Sequence, residues 1–148
     1  MSFLLDTNVV SEIRKGERAD VGVREWVSSV RGADLYLSVL VVGEVRQGVE
    51  RLRRRDPAQA KAYESWLTTL RHDYADRILP LSTDIAELWG RMNVPDRLPA
   101  VDGLIAATAK ARGLTLVTRN TADVARTGVS LLNPFADEST NDRGPGGR

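Results

Sequence analysis

The chain has 148 residues, 42% of them hydrophobic and 28% charged, with 21 basic against 20 acidic side chains and a net charge of +1. That length suits one domain with a real core and leaves little room for a second, while the absence of cysteine removes disulfides, zinc–thiolate sites and thiol catalysis together. A single histidine, His72, lies in a polar stretch between Arg71 and Asp73, so neither a Ser-His-Asp triad nor a histidine-rich metal site is available.

Met1-Ser2 leads straight into an apolar run with no secretory segment before it, and no apolar stretch is long enough to span a bilayer. A soluble, cytoplasmic protein without membrane association is expected. The basic residues are almost all arginine, the lysines being Lys15, Lys61 and Lys110. Arginine favours phosphate forks and interface ion pairs, but coding bias produces the same excess.

Phe3-Leu4-Leu5 followed by Asp6-Thr7-Asn8 reads as a strand buried on both faces that delivers a carboxylate where the next helix begins. The plain alternative is that Asp6 or Thr7 only caps the following helix. Thr7 to Lys15 predicts a short helix stopped by Gly16, and Asp20 to Arg31 a second, with Val23, Trp26, Val27 and Val30 on one face. Leu35–Ser38 is a short strand. From Val39 to about Arg53 the stripe Val41, Val42, Val45, Val49 and Leu52 marks a helix, with Glu44 roughly a sixth of a turn outside its edge, as at the rim of a cleft.

Arg51, Arg53, Arg54 and Arg55 lead into Asp56-Pro57, the turn of a helical hairpin whose second arm carries Ala60, Tyr63, Trp66, Leu67 and Leu70. These arginines can track a phosphate backbone or simply face solvent. Trp26, Trp66, Trp89 and Tyr63 read as core or interface residues. Arg77 to Leu81 is a strand or extended link, and Ser82 or Thr83 is expected to cap a helix bearing Ile85, Ala86, Leu88 and Trp89. Val101 to Ala111, small and apolar nearly all round and stopped by Gly113, predicts a buried helix with Asp102 in its first turn.

Leu114 to Thr118 is a further central strand ending in the polar turn Arg119-Asn120-Thr121-Ala122-Asp123, and Val129 to Phe135 a last short strand. From 137 to 148 nothing is available to bury, so a disordered tail is expected after a domain spanning 1–136. The alternation of strands and helices is that of an α/β fold with a parallel sheet and right-handed crossovers. Asp6 and the Asn120/Asp123 turn then lie at C-terminal strand ends, and Glu44 and Asp102 on helices starting at that same edge. Carboxylates converging without histidine or cysteine suit a hard cation, Mg²⁺ or Mn²⁺, which can orient a phosphodiester and acidify an attacking water.

Five stretches in this order, Leu4 to Glu12, Leu37-Ser38 with Gly43-Glu44-Val45 and Gly48, Asp102 to Ala109, Thr118 to Thr121, and Asn133-Pro134-Phe135, make the chain resemble the PIN domain. It is most similar to the VapC toxin branch of VapBC toxin-antitoxin systems and its FitB-like relatives. The resemblance implies a central parallel sheet between helical layers and a Mg²⁺- or Mn²⁺-dependent endoribonuclease toxin that leaves 5′-phosphate and 3′-hydroxyl ends. It also implies a VapB-like antitoxin that covers the acidic site, and a homodimer within the toxin-antitoxin complex.

By carry-over, Asp6, Glu44 and Asp102 match the family's regular acidic positions. Asn120 and Asp123 share the fourth, where relatives often have Asp at the position of Asn120. On this reading Asp6 and Asp102 ligate the ion directly, Glu44 and Asp123 act through water or a second ion, and Asn120 can offer an uncharged carbonyl. Thr7, Asn8 and Thr118 are expected to orient the carboxylates. Arg119 and the arginines 51 and 53–55 are candidates for RNA phosphate contacts. Two alternatives stay open: a binding subunit that reaches operator DNA only through its antitoxin, and a phosphatase or nucleotidase using the same metal site.

Overall fold

A computed structural model describes residues 1–136, so the tail expected over 137–148 lies outside the described residues. Strand β1 (Phe3–Leu5) is buried throughout, as a run of large apolar side chains must be when both faces of a parallel strand are covered. It pairs in parallel with β2 (Leu35–Ser38) on one side and β4 (Thr115–Val117) on the other, Phe3 standing opposite Leu35 and Thr115. Two-residue strands β3 (Ile78–Leu79) and β5 (Leu131–Leu132) close the edges, giving the parallel order β3-β2-β1-β4-β5.

The helices among the described residues are α1 (Thr7–Ile13), α2 (Val21–Ser29), α3 (Val39–Arg53), α4 (Pro57–Asp73), α5 (Thr83–Met92), α6 (Ala100–Arg112) and the one-turn α7 (Thr121–Val124). From β1 the chain steps outward through β2 to β3, then crosses back over β1 to β4. Right-handed crossovers therefore put α1–α4 on one face of the sheet and α5–α7 on the other. The reversal falls between β1 and β4, and their C-terminal ends form the crevice where such sheets place ligands.

Packing explains the helices. Val41, Val45 and Val49 of α3 are fully buried, each stabilising the fold by about 1.5–3 kcal/mol, and Gly48 lets the Tyr63 ring of α4 approach within 3.3 Å of where a Cβ would stand. Helix α6 has Ile105, Ala106, Ala107 and Ala109 fully buried, and Gly113 ends it in the left-handed region at φ 67°. Phe3 and Trp26 meet edge to face, with centroids 5.2 Å apart, and Tyr63 stacks on Trp66 at 5.8 Å.

Several elements are shorter than their sequence pattern. Helix α1 stops at Ile13, and Gly16, at φ 61°, opens a 3-10 turn over Gly16–Arg18. Only Leu131–Leu132 of the expected final strand pairs, because Asn133 Oδ1 accepts from Phe135 N–H and turns the chain away. Ser82 occupies the cap position of α5 but makes no capping bond; its hydroxyl instead meets Asp84 and accepts from Arg112 at 2.9 Å. Among the described residues no helix is long and apolar enough to cross a membrane.

Candidate active site

Asp6 begins where β1 ends. Its N–H still bonds Val117 O of the neighbouring strand at 2.9 Å, while Oδ1 caps α1 by accepting from Thr7 N–H at 2.7 Å. Capping and site-building are thus one arrangement, since the second oxygen is turned to the crevice. Oδ2 accepts from Thr118 Oγ1 at 2.8 Å and from Asn8 Nδ2 at 3.5 Å, and the residue is only 6% exposed. Thr118, at the end of β4 and almost fully buried, spends its one hydroxyl proton on Asp6 and accepts from Asn120 N–H at 3.0 Å and Asn8 Nδ2 at 3.4 Å. Asn8 Oδ1 in turn accepts from Arg119 N–H at 3.1 Å, so the two strand-to-helix turns are laced together.

Glu44 projects from the second turn of α3, half-buried, and accepts from Thr7 Oγ1 at 2.5 Å. This places it beside Asp6, because Thr7 serves one carboxylate with its amide and the other with its hydroxyl. Asp102 lies half-buried in the first turn of α6, where the helix dipole favours an anion. Among the described residues it has no hydrogen-bond or ion-pair partner, and its carboxyl is pushed above the ordinary range by burial and then by the negative charges of Asp6, Asp123 and Glu44. Asp123, in α7, is exposed; Asn120, also exposed, starts that turn, and Asp123 N–H bonds its carbonyl at 3.3 Å.

Asp102 therefore feels three carboxylates from three other elements across the β1/β4 crevice, with no basic side chain among the influences on it. Among the described residues no three of these acidic groups close tightly enough to grip an ion unaided. That arrangement fits Mg²⁺ or Mn²⁺ held by one or two carboxylates, since Mg²⁺ keeps most of its own water. The donors are all oxygen, and uncompensated repulsion at Asp102 is what a hard cation relieves.

The arginine turn is not part of this site. Arg53 lies nine residues beyond Glu44 on α3, about 14 Å along the axis toward the opposite edge of the sheet. It is engaged by Glu50 at 3.0 Å and Glu64 at 3.1 Å, with Arg46 joining the same pair of glutamates, and these bonds raise the Arg53 guanidinium above its usual range. Arg51, Arg54 and Arg55 are exposed at that far end. Arg119 opens the turn after β4, its N–H bonded to Asn8 Oδ1 and its guanidinium 4.6 Å from the Phe135 ring centroid. The direct bond from Thr7 to Glu44 and the contacts of Arg126 described below had no local signature, because a threonine before a helix and an arginine in a turn read as cap and solvated charge.

A family model described as PIN domain matches residues 3–129. The chain is 33% identical over 143 residues to Toxin FitB of Neisseria gonorrhoeae, covering 91% of this chain and 99% of that protein. It is 34% identical over 141 residues to VapC ribonuclease Y4jK of Sinorhizobium fredii, covering 90% and 97%. Among solved structures, one titled "Structure of FitAB bound to IR36 DNA fragment" contains a chain that superposes with a TM-score of 0.79 at 31% identity, covering 89% of this chain and 94% of that one.

Proposed function

The chain belongs to the PIN domain family, and on that premise we propose that it is the toxin of a toxin-antitoxin pair, a VapC-type endoribonuclease that hydrolyses RNA phosphodiester bonds with Mg²⁺ or Mn²⁺ and is silenced by a VapB-like antitoxin. The observation that carries this reading is the pressure on Asp102 from Asp6, Asp123 and Glu44 in the crevice. Carboxylates alone repel RNA, so a nuclease site of this composition needs a cation. Similarity to proteins named as a toxin and as a ribonuclease supports the activity.

In this reading Asp6 and Asp102 hold the ion, Asp6 in an orientation fixed by Thr7, Asn8 and Thr118. When bound, the ion supplies Lewis acidity that polarises the scissile phosphate and acidifies water. Glu44, steadied by Thr7, and Asp123 accept hydrogen bonds from water at the rim, and Asn120 adds a carbonyl without charge. Hydrolysis joins the water oxygen to phosphorus and breaks the bond to the 3′ oxygen, which takes the proton. The products are a 5′-phosphate and a 3′-hydroxyl. Arg119, in the turn laced to Asn8, is the candidate for an RNA phosphate contact.

The test is to incubate the antitoxin-free protein with total RNA, with and without Mg²⁺ or Mn²⁺, beside Asp6→Asn and Asp102→Asn, and to map new 5′ ends. Discrete metal-dependent cuts that vanish in both variants are expected. A folded protein that binds metal but cuts nothing overturns the nuclease reading. It would favour the second reading, a subunit that reaches operator DNA through its antitoxin, which the likeness to a chain in the DNA-bound FitAB structure supports. A homodimer within the antitoxin complex completes the proposed assembly.

A further inference from the structure

Asp6, Glu44 and the turn after β4 are tied to one another by side-chain hydrogen bonds, but Asp102 is not. Its place is set by its backbone, hence by the loop Asn93–Pro99 that delivers α6 into the crevice. That loop includes no strand or helix, and Val94 in it is 73% exposed. Within it Asn93 Oδ1 accepts from Leu98 N–H at 2.9 Å, and Leu98 packs so closely on α6 that a Cβ on Gly103 would stand 3.1 Å from Leu98 Cβ and 3.2 Å from Trp89 Nε1.

One side chain reaches the loop from the opposite carrier. Arg126, three residues after Asp123, donates from Nη1 to Met92 O at 3.2 Å and from Nη2 to Asp96 O. Met92 ends α5, so its carbonyl is one of the orphan acceptors at the negative end of that helix, a favourable partner for a cation. A planar guanidinium offers a rigid fork of N–H groups, one for each carbonyl, where an ammonium is a single point charge on a flexible stem. Lys110 Nζ of α6 donates in the reverse direction to Thr127 O at 2.8 Å, bracing the same 3-10 turn, Ala125–Thr127, from the far end of the helix.

We infer that Arg126 is a positioning residue, a strut that holds the turn carrying Asp123 against the loop that delivers Asp102 and so fixes where Asp102 stands in the crevice. The inference rests on the metal-site reading above. Removing the strut deletes no carboxylate but lets the Asp102 carrier drift, so the loss falls on metal affinity more than on the chemistry once metal is bound.

The experiment uses the full chain, metal alone as probe, and Arg126→Met, Arg126→Lys and, as a control, Arg112→Met, which breaks the ion pair to Asp84 on α5. Thermal unfolding across a MgCl₂ series gives the half-saturating concentration, and hydrogen exchange of residues 93–102 in EDTA gives loop protection without metal. Arg126→Met is expected to raise the half-saturating Mg²⁺ by about tenfold, the lower end of what supporting partners of metal ligands contribute, and to speed exchange in the loop. Arg126→Lys should recover part of both, and Arg112→Met should change neither. Equal Mg²⁺ midpoints for wild type and both Arg126 variants would overturn the strut. A wild-type protein that Mg²⁺ does not stabilise at all would instead overturn the metal site, and the strut with it.

Discussion

Thr118 Oγ1 donates to Asp6 Oδ2 at 2.8 Å, joining residues 112 positions apart across the point where the sheet reverses direction. The bond fixes the buried carboxylate with its remaining lone pairs toward the crevice. Replacing Thr118 by valine keeps the shape and removes the hydroxyl, leaving Asp6 and Asn120 N–H each short of a partner. A loss of about 10–100-fold in metal affinity or RNA cleavage is expected, with about 1–3 kcal/mol of stability. Thr118→Ser should restore most of both, as read by cleavage rate and denaturant unfolding. A fully active valine variant would remove Thr118 from the supporting set.

Thr7 serves Asp6 through its amide and Glu44 through its hydroxyl, so its side chain and backbone roles are separable. Thr7→Val keeps the cap on α1 and frees Glu44. Cleavage should fall by roughly tenfold with only a small change in melting temperature, whereas Asp6→Ala, which removes the cap and a proposed metal ligand together, should lower both. Parallel kinetics and melting curves distinguish these outcomes.

Asp102 provides a stability test whose sign reverses between EDTA and Mg²⁺. Its carboxyl is raised above the ordinary 3.8 by burial and three neighbouring carboxylates, so the folded state binds its proton more tightly than the unfolded chain. The unfavourable contribution is absent below the unfolded value, grows as pH rises above it, and is complete once pH has passed the folded one. In EDTA, Asp102→Asn should therefore melt higher than wild type at pH 7 and match it near pH 3. With saturating Mg²⁺ the order should reverse, because only the wild type gains from the ion. A variant less stable than wild type in EDTA at pH 7 would contradict the proposed frustration.

Two glycines give a contrast in stability. A Cβ on Gly22 would lie 2.3 Å from Pro134 O and 2.7 Å from Ala136 N, where Ala136 N–H reaches Asp20 Oδ2 at 2.9 Å and ties the segment after β5 to the cap of α2. Gly22→Ala should cost about 1–3 kcal/mol by overpacking. Gly90, exposed within α5 with nothing within 4 Å of its Cβ position, should gain about 0.5–1 kcal/mol on becoming alanine. Urea unfolding of the two variants checks both signs.

Much of the architecture was written locally. The apolar run ending at Asp6, the caps at Asp20 and Ser38, the glycine stop at Gly113 and the all-round apolar α6 follow from periodicity, capping and φ preference, which act within a few residues. The expected parallel sheet put Asp6, Glu44, Asp102 and the Asn120/Asp123 turn at one edge, while the strand order came only with the structure. What only the tertiary structure decided was which polar side chains meet. Arg53 and Arg126 are both arginines near helix ends, yet one is taken up by Glu50 and Glu64 far from the crevice and the other spans from the Asp123 turn to the Asp102 loop. Local pattern cannot separate them, because an exposed cation carries no periodicity of its own; its partner is set by the packing of apolar faces elsewhere in the chain.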